Sequence, residues 1–187
     1  MIIQEPKTIF IHIPKNAGTS IESLFKPYVR LNNQIDRHAS IHDIKHKFPN
    51  IYKKYNKFTV IRNPYERMVS FYFYLKSYNK LFRANFEDSF IEWLKKPENS
   101  EIPFNSDWIK KLGYFKNQHE WIDDTVTVIK YENLNEGLNK FFKKEIDLPL
   151  KNNTNHKRFL DYYDKESLNI VYNRYKEDFK KFNYEKI

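Results

Sequence analysis

The stretch that decides the fold is Lys7-Thr8-Ile9-Phe10-Ile11-His12-Ile13, followed by Pro14-Lys15-Asn16-Ala17-Gly18-Thr19-Ser20. Four of its first seven residues are Ile or Phe, and the run stops at a proline. That pattern predicts a short buried strand, central in a parallel sheet. Lys15 to Gly18 is a polar loop. Ile21, Leu24 and Phe25 then recur at helical spacing up to Pro27, so a helix follows, with Thr19 or Ser20 as its expected cap and Glu22 and Ser23 in its first turn. A loop leaving the carboxyl end of a central strand and feeding a helix N-terminus presents backbone N–H groups and a favourable dipole to an anion. Lys15 adds a point charge, Thr19 and Ser20 add hydroxyls, and Gly18 is expected to let the backbone come close to a phosphate.

Working outward, Lys57 to Ile61 reads as a second buried strand, ended by Arg62-Asn63-Pro64. Pro64 suits the first turn of a helix through Met68, Val69, Phe71, Tyr72 and Leu75. Arg62 at a strand end and Ser70 on the next helix can converge on one phosphate. Thr125 to Lys130 alternates β-branched residues and predicts a third strand. Helices are expected at 40–48, 86–94 and 133–142. A long C-terminal helix is expected to carry Leu168, Val171, Tyr172, Tyr175, Phe179 and Phe182 as one stripe. Strands alternate with helices without repeats, so the class is α/β, a small central parallel sheet flanked by helices in three layers. At 187 residues the chain is expected to be a single domain, 1–187.

Composition narrows the chemistry. The chain has no cysteine, so thiolate nucleophiles, Cys-zinc sites and iron–sulfur clusters are excluded. Its 3 glycines are far apart, so neither G-x-G-x-x-G nor G-x-x-x-x-G-K-[ST] is present. The net charge of +9 fits an anionic ligand or, equally, a lysine-rich solvated surface. No apolar run approaches the roughly 20 residues of a membrane span, and no leader pattern opens the chain. The expectation is a soluble, cytoplasmic protein.

The segments His12–Ser20 and Val60–Ser70 together resemble the superfamily of sulfotransferases that use 3'-phosphoadenosine-5'-phosphosulfate (PAPS). The look is closest to the carbohydrate branch, of heparan and chondroitin type. The first is similar to the family's H-[IV]-P-K-x-[AG]-G-[ST]-[ST] loop for the 5'-phosphosulfate. The second is similar to its R-[ND]-P-x-x-R-x-x-S segment for the 3'-phosphate. Tyr131-Glu132-Asn133-Leu134 and the aromatic pattern from Val171 to Tyr184 continue the likeness in the same order.

The resemblance implies a P-loop-like fold, PAPS as donor, 3'-phosphoadenosine 5'-phosphate (PAP) as product, and a hydroxyl acceptor, expected to be a saccharide. It implies no metal, and no nucleic-acid partner or membrane segment is expected. Carried over, Lys15 contacts the bridging oxygen and 5'-phosphate, and Pro14, Asn16, Ala17, Gly18, Thr19 and Ser20 wrap the phosphosulfate. Arg62 and Ser70 hold the 3'-phosphate, and Lys157 and Arg158 add secondary contacts from the basic segment 151–158. Arg37-His38-Ala39-Ser40 resembles the family's histidine element, which makes His38 the expected general base.

Three alternatives remain at this level. His38, His42 and His46 are spaced four apart and on one helix would share a face able to bind zinc. An ATP-dependent kinase would lack its nucleotide loop. A non-catalytic binder of anionic glycan or nucleic acid would leave two phosphate loops unexplained. His12 is expected to be a packed residue, and His156 to lie near the donor. Tyr74, Tyr78, Trp108 and Tyr114 are candidates for sugar stacking, although core is the default for aromatics.

Overall fold

The computed structural model describes residues 1–25, 36–82, 88–96, 113, 115–148 and 157–187. The chain forms two compact units. The first comprises 1–62 and 118–153, the second 63–117 and 154–187.

The first unit holds a four-stranded sheet in the order β1 (Ile2–Ile3), β2 (Thr8–Ile11), β3 (Asn56–Ile61), β4 (Thr127–Lys130). β2 pairs in parallel with β3, which pairs in parallel with β4, in registers Ile11↔Thr59 and Ile61↔Lys130. β1, absent from the sequence reading, adds an antiparallel edge. The expected α/β class with a small, mostly parallel sheet and flanking helices is what the molecule shows.

Phe10, Phe58, Val60 and Ile129 share one buried cluster with Ile21 of α1 (Gly18–Leu24) and with Leu134 and Leu138 of α6 (Leu134–Phe142). Phe10 stacks on Phe58 at 4.9 Å, and Phe58 meets Phe141 at 4.8 Å. Each such pair adds about 1 kcal/mol beyond its area. Ile9, Ile11 and Ile61, of opposite parity, are buried too, which is why these strands read as continuous apolar runs. Gly137 lets α6 lie on β4, since a Cβ there would meet the Ile129 side chain at 2.4 Å. α2 (Ile41–Lys47) starts at a capping box between Ser40 and Asp43, and α3 (Pro49–Lys54) follows.

The second unit is helical and aromatic. Asn63 Oδ1 accepts from the Tyr65 N–H at 2.9 Å and Pro64 occupies the first turn, which together start α4 (Pro64–Phe82). α5 (Phe90–Lys95) begins at a Ser89–Glu92 capping box, shorter than the helix expected from 86, of which 86–87 lie outside the described residues. α4 and α5 pack on α7 (Lys165–Arg174). The expected single C-terminal helix is two: the chain leaves helical geometry at Tyr175 (φ −114°, ψ 25°) before α8 (Lys176–Lys181). Tyr175 is fully buried, its hydroxyl on the Met68 sulfur at 3.3 Å, and core packing at that position overrides helical continuity.

Candidate functional site

β2 hands the chain to a loop whose backbone is twice left-handed, at Lys15 (φ 70°) and Ala17 (φ 59°). Left-handed geometry in residues with a Cβ costs about 1 kcal/mol or more each and clusters at ligand sites. α1 starts at Gly18, and no side chain caps it. The expected cap at Thr19 or Ser20 is therefore corrected: both lie inside the first turn, Thr19 exposed and Ser20 buried. The reason for Gly18 also differs from the sequence reading. A Cβ there would stand 1.8 Å from His12 Nε2, so a histidine ring seated under the loop demands the glycine.

Asn16 is buried, and its side-chain nitrogen donates to the Val60 carbonyl at 2.8 Å and to Gln118 Oε1 at 2.7 Å. Gln118, in a 3-10 turn at Gln118–Trp121, also accepts from the Arg62 N–H and donates to the Arg62 carbonyl, both at 2.9 Å. Arg62 thus leaves the end of β3 with its backbone fixed on both sides. Its guanidinium lies over the Tyr131 ring at 4.2 Å and donates to the Lys15 carbonyl at 3.4 Å. Lys15 is half-buried. Loss of hydration, with Arg62 adding repulsion, lowers its ammonium pKa to about 7. Two cations held this close favour an anion between or beside them.

A second network flanks the loop. His12 Nδ1 lies 3.0 Å from Glu22 Oε1, and burial lowers its pKa to about 4, so the ring is neutral at neutral pH and its one proton sits on Nδ1. Glu22 also accepts from Arg37 Nε at 3.0 Å and from the Arg37 terminal nitrogen at 2.7 Å. Burial alone would raise the Glu22 pKa, but the hydrogen bonds from His12 and Arg37 hold it at about 2. Arg37 further reaches Thr19 Oγ1 at 3.3 Å.

The His38 ring meets the His12 ring edge-on at 4.5 Å, and His38 Nδ1 lies 2.9 Å from the His12 carbonyl. A carbonyl only accepts, so Nδ1 carries the proton and the lone pair of the neutral ring is on Nε2. Burial pushes the His38 pKa below 6.5.

The zinc alternative is corrected. His38 precedes the Ser40 cap, so it does not share a helix with His42 and His46, which are exposed on α2. Among the described residues no group of three His, Asp or Glu is placed to hold a metal. The first unit brings together Pro14 to Ser20 and Arg62, with His38 beside them. In the second unit, Ser70 is half-buried on α4 and Lys157 and Arg158 are exposed. Arg158 is 3.4 Å from Asp161. Trp108, Tyr114, His156 and positions 151–155 lie outside the described residues, as does the Tyr78 side chain. Tyr74 packs against the aromatic core.

The sequence reading missed Gln118 and the pairing of Glu22 with Arg37 and His12. An isolated Gln carries no signal, and a Glu in a first helical turn is explained well enough by the dipole.

The model of the sulfotransferase family matches residues 1–126, which include the loop, His38, Arg62 and Gln118. No curated protein and no solved structure matches the chain. Among the described residues no helix is long and apolar enough to cross a membrane.

Proposed function

The chain belongs to the sulfotransferase family, a family of sulfuryl transferases, and from that premise we propose that it moves the sulfuryl group of PAPS to a hydroxyl of a carbohydrate. The observation that carries the donor is the meeting of two cationic residues from the ends of neighbouring strands, Lys15 desolvated toward a pKa of about 7 with Arg62 donating to its carbonyl. An anion there relieves both the repulsion and the desolvation.

In the reaction the acceptor oxygen attacks sulfur in line with the leaving 5'-phosphate oxygen. The new S–O bond forms as the bridging S–O bond breaks, and the electron pair departs with PAP. His38 Nε2 takes the hydroxyl proton. Its proton on Nδ1 stays with the His12 carbonyl, which fixes both tautomer and ring plane. Lys15 stabilises the charge that grows on the leaving phosphate. The resemblance assigns the 3'-phosphate to Arg62 and Ser70, with Lys157 and Arg158 as further contacts, and makes 1–187 one catalytic domain. A carbohydrate acceptor rests on the same resemblance.

Calorimetric titration with PAP and with ATP tests the donor. Tight PAP binding and weak ATP binding is expected, with the preference reduced in Arg62→Ala; equal affinities would overturn this reading.

A further inference from the structure

We infer that Gln118 is a positioning residue that locks the two ends of the donor site, the Lys15–Ala17 loop and Arg62, into one spacing; this rests on the PAPS reading above. The ladder between parallel strands β2 and β3 ends at the pair Ile11↔Thr59, short of Lys15 and Arg62. Side chains take over. Thr59 Oγ1 donates to the Ile11 carbonyl at 2.9 Å, Asn16 Nδ2 bridges to the Val60 carbonyl, and Gln118 completes the link.

The orientation of the whole cluster follows from Arg62. Its N–H can only donate and its carbonyl can only accept, so the Gln118 amide has one possible setting, Oε1 to the N–H and Nε2 to the carbonyl. Oε1 is then also the acceptor facing Asn16, so Asn16 must present its nitrogen. That leaves Asn16 Oδ1 buried and, among the described residues, without a hydrogen-bond partner. Accepting an unsatisfied oxygen in a residue only 1% exposed is costly. The cluster tolerates it in return for fixed geometry.

Gln118 is itself fully buried and is not expected to touch the donor. It behaves as a one-residue strand. Its amide satisfies both backbone groups of Arg62, as a neighbouring peptide would, and the same oxygen holds the loop through Asn16. Spacing between the loop and Arg62 is what separates a ligand with phosphates at both the 5' and 3' positions from one with a 5'-phosphate alone. Gln118 therefore acts on donor discrimination rather than on chemistry at sulfur.

The test is the ratio of affinities for PAP and adenosine 5'-monophosphate, by calorimetry well below the melting temperature, in wild type, Gln118→Met and Gln118→Glu. Met keeps the length and removes every hydrogen bond. Glu keeps the acceptor for Arg62 N–H and Asn16, and replaces the donor by a carboxylate oxygen set against the Arg62 carbonyl. The expected result is a ratio well above one in wild type, reduced about tenfold in Gln118→Met, the scale of a misplaced binding group, and reduced in Gln118→Glu as well. Should Gln118→Met not fold, the drop in Gln118→Glu carries the same test. A lower melting temperature with an unchanged ratio would show that Gln118 is only structural and would overturn the inference. A wild-type ratio near one would overturn the PAPS reading itself, and the inference with it.

Discussion

The two units of this chain bury different things. In the first, His12, Asn16, Ser20, Glu22, Ser40, Thr59 and Gln118 are all buried polar groups, and several are joined in networks around one loop. In the second the interior is mostly rings: Tyr65, Phe71, Tyr72, Phe90, Trp93, Tyr175 and Phe179 pack with one another, with the polar side chains of Arg67, Ser167 and Asp178 also buried. Burying a polar group is costly unless each partner is met, and a met network specifies one geometry. Burying rings stabilises strongly and fixes little chemistry. The contrast teaches that, among the described residues, the buried hydrogen-bond network of His12, Asn16, Glu22 and Gln118 lies in the first unit, while ring packing dominates the second.

The largest expected effect breaks the comparison from the second unit. Trp93 is buried against Phe71, at 5.5 Å, and Tyr72, at 5.7 Å. Trp93→Ala should cost about 3–5 kcal/mol of stability, read from chemical denaturation, with turnover per folded molecule kept. A loss of turnover in the folded fraction would erase the distinction between the units.

Gly18→Ala is the counterpart in the first unit. Its methyl drives into a His12 ring pinned by Glu22, so the loop and the ring must both move. Stability should fall by about 1–3 kcal/mol, and PAP affinity should fall about 100-fold. Stability loss with unchanged PAP affinity would show that the loop geometry is not what binds the donor.

The pH profile sharpens the roles of Lys15 and His38. His38 must be neutral to accept a proton, and its lowered pKa puts the rising limb of kcat/KM below pH 6.5. Lys15 must be protonated, and its pKa of about 7 in the free enzyme puts the falling limb near there. Bound donor is anionic and favours the ammonium, so in kcat at saturating donor the falling limb should move to higher pH. A falling limb that stays in place would separate it from Lys15.

The smallest effect is at Ala17. Glycine relieves about 1 kcal/mol of left-handed strain there, but removes a methyl packed beside the first unit's core and loosens the unfolded chain. The melting temperature of Ala17→Gly should stay close to wild type. A large rise would mean that the strain is greater than the backbone angles imply.

Much of this was legible in the residues. The apolar runs ending at Pro14 and at Arg62-Asn63-Pro64 announce parallel strands with their loops at one end, because buried parallel strands need apolar side chains on both faces. Residue order also places Lys15 and Arg62 on those ends. The two-residue strand β1 is too short to show alternation. The break at Tyr175 is silent, because the apolar stripe continues through it. Gln118 is illegible for another reason: its role lies in hydrogen bonds to residues 102 and 56 positions away, which no local pattern encodes. His38 is separated from His42 and His46 by the Ser40–Asp43 cap, a signal present in the sequence as Ser-x-x-Asp and consistent with the helix expected from residue 40.

The most direct measurement is transfer of labelled sulfuryl groups from PAPS to a panel of polysaccharides, by wild type and His38→Ala, with PAP affinity measured on both proteins. Transfer by wild type is expected, reduced about 10²–10⁴-fold in His38→Ala at nearly unchanged PAP affinity, because His38 faces the acceptor side of the loop in this mechanism. Full transfer by His38→Ala would contradict the assignment of the base, and PAP binding without transfer to any saccharide would contradict the carbohydrate acceptor.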